Sequence, residues 1–264
     1  MNGKARIGII GGAGWLGGSI AESILRAGLA DADDLTLSYR RTWPDRLATS
    51  HWTTDNQFLV DRSDIIILSV RPEDWGSVRV DLEQKLLISV MAGIRASALI
   101  ERHATKRVVR ALPNAAAEVS CSYTPWMATA AVTADDRTLV RKIFCTCGIE
   151  DEVANEADID YLTGLSGTGP AFPALLASAL MKHAIGQGLP AGVAQRAVQT
   201  MLIGTGRLLE RHPDSPTEVV DRFLEYRGVT AAGIEAMRAS GFDEAVSNGL
   251  AAAFKKSVSM GDAS

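Results

Sequence analysis

The stretch Ile9-Ile10-Gly11-Gly12-Ala13-Gly14-Trp15-Leu16-Gly17 decides the fold. A β-branched run breaks abruptly into glycines and then into helix-forming residues, so the chain passes from a strand through a tight turn into a helix. Gly12, Gly14 and Gly17 stand at the G-x-G-x-x-G spacing of dinucleotide-binding proteins. Gly12 suits the turn, Gly14 lets backbone approach a pyrophosphate, and Gly17 lets the helix pack on the strand. The helix N-terminus then aims amide groups at an anion.

Outward from this motif, residues 5–10, 35–39, 64–70, 86–91, 107–112 and 127–132 are β-rich and alternate with helical stretches. The pattern predicts an α/β Rossmann domain, a doubly wound parallel sheet, over residues 1–157. Ile65, Ile66, Ile67 and Leu68 are consecutive rather than alternating, as in a central parallel strand covered on both faces. Over residues 158–264 the β signal vanishes, and Ala194, Val198, Met201, Thr205 and Leu208 recur at helical spacing. This second domain is expected to be all helix. Gly204 and Gly206 suit the close approach of another helix, and a domain this small gains buried surface by pairing with a second copy. A homodimer is expected.

Of 264 residues, 47% are apolar and 22% charged, which excludes wholesale disorder. With 27 Lys and Arg against 31 Asp and Glu, the net charge is −4 and no basic block is present, so nucleic acid is not an expected partner. The uncharged stretch 162–181 is interrupted by Gly164, Gly167, Gly169, Pro170 and Pro173 and does not read as a membrane span. Residues 1–10 carry no secretory pattern, so a cytoplasmic protein is expected. Cys121, Cys145, Cys147 and four scattered histidines lack zinc spacing, and no metal is expected.

An acid at the end of the second strand would mark a cofactor with a free ribose 2′-hydroxyl, yet residues 35–41 read Leu-Thr-Leu-Ser-Tyr-Arg-Arg. Ser38, Arg40 and Arg41 instead suit a 2′-phosphate, and NADPH is the expected cofactor. The plainer reading of Arg40 and Arg41 is a solvated pair.

The segment Leu162-Thr163-Gly164-Leu165-Ser166-Gly167-Thr168-Gly169-Pro170-Ala171-Phe172 resembles the T-(A/G)-L-S-G-S-G-P-A-Y signature of pyrroline-5-carboxylate reductases. Val70-Arg71-Pro72 resembles that family's V-K-P, Ala92-Gly93 its A-A-G, and Leu112-Pro113-Asn114 its M-P-N. Gly188-Leu189-Pro190, His212-Pro213 and Gly241-Phe242 follow in the family's order. The resemblance implies a helical domain interlocked with a second subunit, an active site shared between subunits, and reduction of a cyclic imine to proline by NADPH. By matched position Trp15 and Leu16 would offer amides to the pyrophosphate, and Asn56, Val70, Arg71, Pro72, Ala92, Gly93 and Asn114 would line the remaining groove. Without the resemblance, Asn56 reads as a loop amide and Asn114 as a helix cap.

The family's substrate loop, S-P-G-G-(A/T)-T, aligns with the stretch Leu224-Glu225-Tyr226-Arg227-Gly228-Val229-Thr230, in which only Gly228 and Thr230 survive. The resemblance makes Thr230 the hydroxyl that meets the ring nitrogen, and Gly228 and Val229 part of the carboxylate-binding loop. Thr230 also reads as a helix N-cap. Glu225 stands where the family has the carboxylate-binding Ser, and two carboxylates within about 4 Å repel. Arg227 offers a replacement fork for a carboxylate. Glu225 would favour a protonated imine, and Tyr226 is a candidate proton relay or a packing residue. Three functions follow: pyrroline-5-carboxylate reduction, reduction of a different and carboxylate-free imine, or a silent nucleotide-binding homologue.

Overall fold

The computed structural model describes residues 5–262, so residues 1–4 and 263–264 of the two expected domains lie outside it. The chain forms two compact units: residues 1–168 joined by 252–264, and residues 169–251. The boundary expected at 157/158 thus differs from the compact division, because the helix after residue 155 and the turn that follows it pack with the sheet-containing unit.

The first unit contains β1 (Ile7–Ile10), α1 (Trp15–Arg26), β2 (Leu35–Ser38), β3 (His51–Thr53), α2 (Asn56–Asp61), β4 (Ile65–Leu68) and α3 (Pro72–Trp75). It continues through β5 (Leu86–Ser89), α4 (Ala96–His103), β6 (Val108–Ala111), β7 (Ser122–Ala128), α5 (Ala134–Cys145), β8 (Gly148–Glu152) and α6 (Glu156–Leu162). The sheet order is β3-β2-β1-β4-β5-β6-β7-β8. Every pairing is parallel except β6 with β7, which is antiparallel. The sheet reverses its winding between β1 and β4, which places a crevice at their C-terminal ends.

β4 lies between β1 and β5, and its four apolar residues are all buried, as their unbroken run requires. Burying each such side chain is worth about 1.5–3 kcal/mol. The strand expected at 127–132 instead occupies Ser122–Ala128. Ser122, Thr124 and Trp126 point to one buried face, while Thr133 and Asp136 cap α5 and end the extended run before it. β3 and β8 were not expected. Both are sheet edges, and β8 is rich in acids with Ile149 exposed, so neither carries a core pattern.

A charged cluster sits under β6. Arg110 is 2% exposed and pairs with Glu156 and, at 3.6 Å, with Asp160, while Arg95 reaches Asp160 at 2.5 Å. The signature segment forms a π-helical turn, Thr163–Gly167. A side chain at Gly164 would press on Phe254 N at 3.0 Å, and one at Gly167 on Leu112 at 2.8 Å. These glycines therefore serve close packing, a common reason for conserving backbone bulk at its minimum.

The second unit is helical: α7 (Ala171–Gly186), α8 (Ala191–Arg211), α9 (Pro216–Glu225), α10 (Val229–Ala239) and the beginning of α11 (Phe242–Asp262). Gly186, Gly188 and Pro190 separate α7 from α8, as expected. Leu175, Met201, Ile203 and Leu208 are exposed, and Gly204 and Gly206 have open space beside them. Among the described residues no helix is long and apolar enough to cross a membrane.

Burial pushes the Asp136 carboxyl up, but the Arg107 guanidinium and the Thr133 amide and hydroxyl outweigh it and hold the group below its usual range. A carboxyl depressed on folding stabilises the protein above its unfolded pKa of about 3.9, and this contribution is lost as pH falls through the folded value. Asp136→Asn should therefore lower the urea midpoint at pH 7, with the difference from wild type shrinking below about pH 4. A difference that stays constant down to pH 3 would contradict this source of stability.

Candidate active site

The turn after β1 is fixed by backbone geometry. Gly11 has φ +86°, and a Cβ there would lie 2.5 Å from the Ser69 carbonyl oxygen. A Cβ on Gly17 would lie 2.6 Å from the Gly11 carbonyl oxygen, and one on Gly12 3.0 Å from Leu37. A side chain at Gly12 or Gly17 would thus crowd the turn, while the left-handed conformation that glycine favours falls on Gly11, outside the G-x-G-x-x-G spacing, and not on Gly12, the residue expected to make the turn. Ser38 ties β2 to this turn: its hydroxyl accepts from the Gly11 amide at 3.0 Å, and its carbonyl from Ala13 N at 3.2 Å.

Gly14 is the N-cap of α1 and supplies no side-chain cap, and the first turn holds no acid. The amides of Trp15 and Leu16, at the first two helical positions, have no acceptor within the helix. An anion at this end would be favoured by those amides and the helix dipole. The Trp15 indole turns aside and donates to Glu118 Oε2 at 3.0 Å.

A cleft of about 330 Å3 opens beside this turn, lined by Gly11, Ala13 and Gly14, by Ser38, Tyr39 and Arg40, and by Asn56, Val70, Arg71 and Asp74. The sequence-expected groups Gly14, Ser38, Arg40, Asn56, Val70 and Arg71 therefore come together. Arg41 is exposed and does not line the cleft. Asn56 begins α2, just after the N-cap Asp55, rather than sitting in a loop. Pro72 opens α3. Ala92 and Gly93 follow β5 and Asn114 follows β6, at the same C-terminal edge of the parallel strands. Gly93 has φ +74° and a Cβ there would lie 2.6 Å from Met260. Asn114 acts as a cap, accepting from Ala116 N at 2.9 Å, and also donates to the Ser166 carbonyl at 3.0 Å.

Sequence reasoning missed three contributors to this site. Gly11 carried no signal beyond its neighbours. Asp74 lines the cleft and pairs with Arg40 at 2.8 Å. Arg46 donates to the Gly14 carbonyl at 2.6 Å, and its guanidinium occupies the space a side chain on Gly18 would need. Behind Asp74, buried Trp75 donates to His103 Nε2 at 3.1 Å, with His103 Nδ1 3.4 Å from the Val80 carbonyl. That arrangement requires a neutral imidazole, and burial pushes the His103 pKa down accordingly.

In the helical unit, α9 runs on through Glu225, and only Tyr226, Arg227 and Gly228 separate it from α10. Arg227 has φ +52°, an uncommon conformation for a residue with a side chain. Tyr226 and Val229 are 85% and 92% exposed. The N-cap of α10 is Gly228, so Thr230 is the second helical residue and not the cap its sequence context suggested. Gly228 offers no side-chain cap and no acid follows in the first turn. This helix end, like that of α1, leaves amides available to an anion. Among the described residues no group of three or more His, Cys, Asp or Glu is gathered to hold a metal.

Comparison with known proteins agrees with this layout. Residues 156–260 match the family model described as pyrroline-5-carboxylate reductase dimerisation, and residues 6–93 the model described as NADP oxidoreductase, coenzyme F420-dependent. The chain is 30% identical over 269 residues to the pyrroline-5-carboxylate reductase of Methanosarcina acetivorans, covering 97% of this chain and 98% of that one. It is 28% identical to the Synechocystis enzyme of the same name, again over 97% and 98%. The crystal structure of Plasmodium falciparum pyrroline carboxylate reductase with NADP bound superposes with a TM-score of 0.86 at 26% identity, over 97% and 98% of the two chains. With this match running from end to end, the chain belongs to the pyrroline-5-carboxylate reductase family.

Proposed function

We propose that the protein reduces Δ1-pyrroline-5-carboxylate to proline with NADPH. It is an NAD(P)H-dependent oxidoreductase acting on a C=N bond, as its family membership establishes. The observation that carries the substrate reading is the end-to-end match to pyrroline-5-carboxylate reductases. The residues present fit NADPH: a glycine cradle that a Cβ would fill, an uncapped helix N-terminus, and Arg40 beside a strand end that has no acid.

NADPH, when bound, supplies the hydride. The chain's own tasks are to hold, orient and charge the imine. Thr230 hydrogen-bonds the ring nitrogen. The amides of Gly228 and Val229 and the Arg227 fork hold the substrate carboxylate. Glu225 favours the protonated, more electrophilic imine, and Tyr226 relays the proton. The same Glu225 opposes a carboxylate held nearby, and this single feature favours a second reading, in which the physiological imine lacks a carboxylate. The exposed apolar faces of α7 and α8 support a homodimer with an active site shared between subunits. A cytoplasmic, proline-forming role belongs to the same proposal.

Following NADPH absorbance with pyrroline-5-carboxylate and with 1-pyrroline side by side tests the substrate. Fast turnover of the former is expected, and turnover of 1-pyrroline alone would establish the second reading. Glu225→Ser should lower KM for pyrroline-5-carboxylate at least about threefold by removing a repelling charge; an unchanged KM would remove Glu225 from the specificity of the site. Thr230→Ala should lower kcat about 10- to 100-fold with NADPH affinity unchanged. Gly11→Ala should weaken NADPH binding at least about tenfold in a fluorescence titration, since the new Cβ meets backbone at a positive φ.

A further inference from the structure

Arg40 and Asp74 face each other across the cleft as an ion pair of 2.8 Å, each partly open to solvent. Arg40 follows the end of β2, the strand end whose neighbouring groups discriminate the two ribose forms of a dinucleotide. Asp74 arrives from a different element, the first turn of α3. Among the described residues that line the cleft it is the one carboxylate. The neighbouring cation Arg71 has its own acid, Glu73, at 3.8 Å.

Asp74 is also held in place. Pro72 sets the start of α3, the Asp74 amide donates to the Arg71 carbonyl at 2.9 Å, and the next residue, Trp75, is anchored on His103. The backbone that carries Asp74 is therefore fixed at the cleft without help from Arg40.

We propose that Asp74 is a specificity-determining residue for the cofactor, acting as a counterweight to Arg40. This rests on the reading that the cleft holds NAD(P)H with Arg40 directed at the 2′-phosphate. A ribose 2′-hydroxyl can donate to Asp74 while the carboxylate keeps Arg40 on another lone pair. A 2′-phosphate instead draws the Arg40 fork to itself and leaves Asp74 facing a group of about two negative charges. Asp74 thus supports NADH and opposes NADPH. It supplies from α3 the acid that is missing from the end of β2, and the wild-type preference for NADPH is smaller than Arg40 alone would give.

The test is direct titration of NADPH and NADH, by protein fluorescence at fixed ionic strength, into wild type, Asp74→Asn and Arg40→Ala, with thermal unfolding confirming that each variant is folded. The adenosine fragments 2′,5′-ADP and 5′-ADP serve as competitors that isolate the 2′ position. Asp74→Asn should tighten NADPH about three- to tenfold and weaken NADH. Arg40→Ala should weaken NADPH at least about tenfold and NADH by less than about threefold. If Arg40→Ala weakens both cofactors equally, the underlying reading of the cleft fails. If Arg40→Ala acts selectively but Asp74→Asn shifts both cofactors equally or neither, the counterweight is overturned while the cofactor reading stands.

Discussion

The close approach of backbone to backbone between β1 and β4 is the constraint on which the site depends. The turn leaving β1 passes the end of β4 with no room for a side chain on Gly11, and α1 returns over that turn with none on Gly17. Because the sheet reverses its winding between these two strands, the same crowding that excludes side chains opens a crevice beyond the strand ends. The buried isoleucines of β1 and β4 hold the two strands in register from below. Ser38 then bonds the turn from β2 and Arg46 covers it from the connection after that strand, so the cradle is rigid from several sides.

Rigid cradles of this kind favour anion binding because their donors are oriented before the ligand arrives. The N-termini of α1 and α10 share a property visible in their sequences: a glycine at the N-cap and no acid in the first turn. Contrast α5, α6 and α9, whose Thr133, Asn155 and Ser215 close capping boxes with acids three residues on. The amides at the starts of α1 and α10 are left without such side-chain partners.

Much of this was legible in the sequence. The glycine spacing and the unbroken Ile65-to-Leu68 run named the first strand, the central strand and the turn between strand and helix, because crowding and two-sided burial leave local signatures. Edge strands leave weaker ones, which is why β3 and the acid-rich β8 were silent. The seventh strand was misplaced because its buried positions include the polar Ser122 and Thr124, whereas the small apolar residues after Met127 imitate a core run. Within the site, residues on strand ends were found and residues brought in by tertiary contact were not. Arg40 and Asp74 lie 34 positions apart, and no local pattern announces their pairing. The alternative reading of Thr230 as a cap fails because Gly228 is the N-cap, which makes Thr230 the second helical residue.

The central claim is that this chain directs hydride from a reduced nicotinamide to the carbon of a C=N bond. Incubating the protein with NADPH deuterated at nicotinamide C4 and pyrroline-5-carboxylate, then locating the label in the product by mass spectrometry and NMR, tests it most directly. The expected product is proline with one deuterium on the ring carbon that had been the imine carbon, on a single face. Proline without deuterium when both C4 positions of NADPH carry the label, or no deuterated amine from either pyrroline-5-carboxylate or 1-pyrroline while NADPH binds, would contradict it.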